Sequence, residues 1–157
     1  MNRYKNIKNK NQRSPILHFR TQENLNKSLK EWQERLFLNN WIIKAKLVDQ
    51  KEMDNENQVG KNRFCYSNNS SVIYIMNTEE VEFKNDPVVN CEEVSLVHEL
   101  LHLLYGFMDA PDTYEGIYFE AVEHRKLEML ARSLIMAKYN LKPDWFIKND
   151  QDQRRRE

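Results

Sequence analysis

The chain has 157 residues with 40% hydrophobic content, which fits one compact domain and leaves too little for two. Its 24 basic and 24 acidic residues cancel, so no global field holds the molecule on nucleic acid or on an anionic membrane. No window approaches 18 consecutive apolar residues and no apolar run follows the N-terminal charges, so a membrane span and a secretory signal are both unexpected and a cytoplasmic location is expected.

The first stretch, MNRYKNIKNKNQR, holds Arg3, Lys5, Lys8, Lys10 and Arg13 with no acid. Self-repulsion predicts a flexible basic arm over residues 1–20, with His18 at the surface. Nucleic acid is not expected as a partner, because neither aromatic interleaving nor a folded basic face is evident. From Gln22 to Leu38, Leu25, Leu29, Trp32 and Leu36 recur at spacings of three and four, the stripe of an amphipathic helix, with Asn39-Asn40 as its stop. WIIKAKLV (41–48) is rich in aromatic and β-branched residues and predicts a strand. A polar loop follows, and RFCYS and SVIYIMN, separated by Asn68-Asn69-Ser70, predict a hairpin. Three short strands make one small sheet.

Next comes VSLVHELLHLLYG (94–106), an apolar helix with two histidines four residues apart. At 3.6 residues per turn His98 and His102 share a face, so both imidazoles reach one ion. Glu99 lies about 100° around the helix, too far to join the pair as a ligand but close enough to touch a water held by the metal. His-Glu-x-x-His is the zinc-hydrolase signature for this reason. Asn90 and Glu93 have capping-box spacing, which predicts the helix start. Val94, Val97, Leu101 and Leu104 form its predicted buried stripe, and Gly106 its end. Residues 106–117 then form a surface loop beside the site. A second long helix runs from Ile117 to Tyr139 with Leu127, Leu130, Ala131 and Leu134 inward. A charged tail over 142–157 remains, in which Trp145 and Phe146 are expected to dock back on the body.

A catalytic zinc site takes three protein ligands and leaves one position open. Tyr105 and Met108 stand where a metzincin would offer a glycine and a third histidine, which excludes that class. The candidates are Glu120, Glu123 and His124. Around the helix, both glutamates fall about 30° from the centre of the predicted inward stripe and His124 about 70° away. Glu123 is therefore the preferred ligand, with Glu120 or Glu128 behind it, and His124 is the alternative. Cys65 and Cys91 are two thiols with no secretory context and are read as reduced. Tyr105, Tyr114 and Tyr118 are candidate donors to an oxyanion.

The order LKEWQERLFLNNWIIKAKLV, a polar loop, a hairpin, EEVSLVHELLHLLYG and then VEHRKLEMLARSLI resembles the small HExxH proteins of phage and Gram-positive genomes, of zincin-like, minigluzincin type, over residues 22–139. The resemblance implies an α+β zincin-like fold over residues 21–141: an N-terminal helix, a small twisted three-stranded sheet, the HExxH helix and a second ligand-bearing helix. It also implies a glutamate ligand from that second helix. The expected function is a zinc metalloprotease of gluzincin type with one Zn2+ per chain, held by His98, His102 and Glu123. Glu99 would be general base to the zinc-held water, and a peptide or protein would be the substrate. Specificity is expected in the 106–117 loop and in SVIYIMN as an edge strand. The alternatives are a non-catalytic zincin-fold binding module and a structural zinc protein with His124 or Cys91 as a further ligand.

Overall fold

The computed structural model describes residues 14–54, 58–79, 81, 88–105 and 114–147, the side chains of 114–120 excepted. The basic stretch 1–13, the loop 106–113 and the end of the tail lie outside the described residues. Within them the fold is α+β: three helices and one three-stranded mixed sheet.

Helix α1 (Gln22–Arg35) starts at Thr21, whose hydroxyl accepts from the Asn24 amide, and buries Leu25, Leu29 and Trp32 as its spacing predicts. It stops before Asn39-Asn40. Phe37 adopts a left-handed conformation (φ 57°), its amide donates to Glu34, and the Leu38 amide donates to Gln33. This is a Schellman end in which burial of Leu38 offsets the roughly 1–2 kcal/mol cost of a left-handed non-glycine residue. Phe37 itself is 87% exposed.

Strands β1 (Ile42–Val48), β2 (Gly60–Cys65) and β3 (Ser70–Met76) pair in the order β1-β3-β2. β2 and β3 form the expected antiparallel hairpin, turning through left-handed Asn69, while β1 runs parallel to β3. SVIYIMN is therefore the central strand, not an edge: both of its backbone edges are already bonded, and β1 and β2 hold the open ones. Side chains alternate across the sheet. Ala45, Ile73 and Ile75 are buried on the inner face, where α1 and α2 pack, and Ile42, Lys44, Lys46 and Arg63 are exposed on the other.

Helix α2 (Glu92–Tyr105) lies between the sheet and α3 (Tyr114–Tyr139), with Leu96, Val97, Leu100 and Leu101 essentially inaccessible. A helix covered on both sides needs apolar residues almost all round, which is why its sequence lacks a clean stripe. Leu104 is 46% exposed, contrary to the predicted stripe.

The expected capping box does not form. Glu93 is drawn inward, where its carboxylate accepts from Trp32 Nε1 (2.8 Å), Lys138 Nζ (2.7 Å), Tyr139 Oη and the Ile16 amide. Glu92 is buried beside it and accepts from the Phe19 and Thr78 amides. The first amides of α2 donate instead to the Leu17 and Ile16 carbonyls. Those exchanges tie residues 15–19 to the body, with Pro15 and Phe19 buried and Leu17 exposed, where the sequence predicts the end of a free basic arm. His18 contacts Thr78 (3.1 Å) and Glu92 rather than lying free at the surface. At the other end Phe146 is buried and Trp145 packs on the core, as expected. No helix among the described residues is long and apolar enough to cross a membrane.

Candidate metal centre

One turn of α2 separates His98 and His102, whose ring centroids are 4.8 Å apart. Helix α3 adds His124, 5.5 Å from His98 and 5.0 Å from His102. The ligating atoms of all three lie within 4.8 Å of one another, a group that could hold a metal ion.

Glu123 is not in that group. Its carboxylate reaches Lys126 Nζ at 2.6 Å, and its side chain is 34% exposed. The reason is the phase of α3. The residues that α3 buries are Leu127, Ala131, Ile135 and Tyr139. At about 100° per residue these straddle His124 at roughly 20° and 60° to either side, and Glu123 falls roughly 100° away. Leu130 and Leu134 are only half-buried. Including them in the predicted stripe, and omitting Ile135 and Tyr139, displaced its centre toward Glu123. The side chain of Glu120 lies outside the described residues.

The electrostatics suit a cation. Burial, reinforced by the charges of His98 and His124, lowers the His102 pKa to about 3, so its ring is a neutral donor at physiological pH. His98 Nδ1 lies 3.2 Å from Glu128 Oε2. Arg132 holds the other oxygen of Glu128 at 2.6 Å. Burial pushes the Glu128 carboxyl up, but hydrogen bonds from His98 and Arg132 outweigh it and leave the pKa below the ordinary value. With Nδ1–H given to that carboxylate, Nε2 is the nitrogen that His98 has left for an ion. Spacing of four puts His124, Glu128 and Arg132 on one side of α3, a signal visible in HRKLEMLAR.

Glu99 is 7% exposed, and burial lifts its pKa to about 7 against the opposing pull of His98. Its carboxylate lies on the backbone of Gly60 at the start of β2, where a Cβ would stand 2.7 Å from Oε1. Sequence reasoning missed that contact, although Gly60 is one of only three glycines in the chain. It also missed two clamps on α2: Asn62 Nδ2 donates to the Glu99 carbonyl (2.8 Å) and Tyr66 Oη to the His102 carbonyl (3.3 Å). Cys91 is not near enough to contribute a ligand. It is buried against the Ile16 carbonyl, and burial raises its thiol pKa to about 12. Tyr105 is 63% exposed, and the side chains of Tyr114 and Tyr118 lie outside the described residues.

Three imidazoles form a borderline donor set that fits zinc and related transition metals better than the hard cations calcium and magnesium. Among the described residues no fourth protein ligand joins them. No protein-family model, curated protein or solved structure matches the chain.

Proposed function

We propose that the chain is a zinc-dependent metallopeptidase of zincin-like type, with His98, His102 and His124 holding one zinc ion and Glu99 acting as general base. The observation that carries this reading is a three-histidine group with a buried glutamate beside it in the HELLH turn, and no further ligand among the described residues. The α+β arrangement, with the HELLH helix packed on a small mixed sheet and backed by a second helix, supports it. His124 as third ligand departs from the glutamate that the family resemblance implies.

When bound, zinc supplies Lewis-acid activation of water and of the scissile carbonyl. Glu99 accepts the proton of the attacking water and returns it to the leaving nitrogen. Its apolar surroundings raise its proton affinity above that of an exposed glutamate, as both tasks near neutral pH require: in the metal-free protein burial outweighs the pull of His98 and brings the carboxyl pKa to about 7. Glu128 fixes the His98 ring through Nδ1, and Arg132 fixes Glu128.

Elemental analysis of the purified protein tests the site. One zinc per chain is expected, lost in His98→Ala, His102→Ala and His124→Ala and kept in Glu123→Ala and Glu99→Gln. Hydrolysis of a peptide library is expected from the parent and not from Glu99→Gln. Zinc kept without His124 and lost without Glu123 would overturn the ligand set. Stoichiometric zinc with no hydrolysis of any peptide would make the site structural.

A further inference from the structure

The three strands hold four cations and no acid: Lys44 and Lys46 on β1, Lys61 and Arg63 on β2. The chain as a whole is neutral, so this segregation is not a matter of composition. Register places Lys44, Val72 and Arg63 in one row and Lys46, Tyr74 and Lys61 in the next. All four cations therefore stand on the outer face, opposite the helices and the metal centre. Lys46 and Lys61 Nζ lie 5.6 Å from the Tyr74 ring centroid and Arg63 Cζ 5.8 Å. Among the described residues only Lys61 has a carboxylate, that of Asp54. Lys44, Lys46 and Arg63 are exposed. A shallow depression of about 420 Å³ opens between Lys44 and Arg63, floored by Ser70 and Val72 and bordered by Ile42.

We infer that this sheet face binds single-stranded nucleic acid. Like charges gathered around one ring repel each other, and a polyanion relieves that repulsion. Successive cations on a strand are about 6.7 Å apart, and the rows on β1 and β2 about 10 Å apart across β3. A flexible strand can follow that grid and lay its phosphates along both strands, with bases against Val72 and Ile42 between them. An open sheet with cations and aromatic or apolar residues is suited to splayed single strands, whereas a duplex groove admits a helix or a two-stranded ribbon. An acidic peptide fits less well, since its pairing mode is along a strand edge and the cations stand on the face. The expectation against nucleic acid rested on the lack of a folded basic face, and the sheet supplies one. The inference is independent of the peptidase reading.

Fluorescence anisotropy with a labelled oligothymidylate of about 20 nucleotides tests it on the full-length protein across a salt series. The parent should bind with a dissociation constant of roughly 1–100 µM at physiological salt. Lys44→Gln/Lys46→Gln/Arg63→Gln should weaken binding at least about tenfold and flatten the log K against log salt slope by about 2, from three contacts at roughly 0.7 each. Circular dichroism checks that the triple variant folds. If it does not, Arg63→Gln alone should flatten the slope by about 0.7. Unchanged affinity and slope in the folded variant would overturn the inference and leave the basic N-terminal stretch as the binder. Tighter binding of a duplex, or equal binding of a polyglutamate of the same charge, would overturn it too.

Discussion

Replacing Glu99 by glutamine should stabilise the metal-free protein, by an amount that grows as pH rises from about 4.5 to about 7 and is level above that. Burial raises the folded-state pKa of Glu99 from 4.5 to about 7. A carboxyl whose pKa is higher folded than unfolded contributes its full stability below the unfolded value, and loses it as pH rises through the folded value. At about pH 4.5 the acid and the amide are alike in charge, and the substitution should be close to neutral. Near pH 8 the parent carries a buried anion. A shift of about 2.5 units at 1.36 kcal/mol each makes it less stable than the variant by about 3 kcal/mol. For a chain of this size that is a rise in Tm of roughly 6–12 °C. Chelator-treated parent and variant should be unfolded in urea at about pH 5 and pH 8 and followed by far-ultraviolet circular dichroism. Zinc should shrink the difference, because a cation beside the carboxylate favours its charged form. An equal difference at both pH values would refute the reasoning, since it would mean that packing, and not the buried charge, separates the two proteins.

Glu128→Gln should weaken zinc binding about 10–100-fold with the three histidines intact, because His98 loses the carboxylate that orients it; competition with a chromophoric chelator measures this. Lys138→Met should cost about 3–5 kcal/mol in urea unfolding, since it leaves the fully buried Glu93 without its cation. A loss under 1 kcal/mol would show that Trp32 and Tyr139 suffice to hold that carboxylate. A thiol reagent such as Ellman's should titrate one cysteine rapidly in the folded protein and two after denaturation. Cys65 is exposed, with its pKa lowered by hydrogen bonds from Ser67, whereas Cys91 is buried with its pKa near 12.

The parts legible in the sequence are those with a short-range cause. A period of 3.6 in Leu25, Leu29 and Trp32 gave α1, short runs of β-branched or aromatic residues bounded by turn residues gave three strands, and i, i+4 spacing put His98 and His102 on one face. What sequence could not decide was anything set by how one element is rotated or ordered against another. The choice between Glu123 and His124 turned on a phase difference of about 70°, smaller than one residue's step around the helix, and that phase follows from burying Ile135 and Tyr139 as well as Leu127 and Ala131. Glu93 has the spacing of a capping residue, yet Trp32, Lys138 and Tyr139, all distant in sequence, draw it into the core. The placement of SVIYIMN in the middle of the sheet required β1 to pair with it in parallel across an intervening strand. Local sequence thus determined which elements form and that His98 and His102 share one helix face. The tertiary structure decided which third side chain comes up to His98 and His102 and which sheet face gathers the positive charge, because both depend on contacts between segments that the sequence separates.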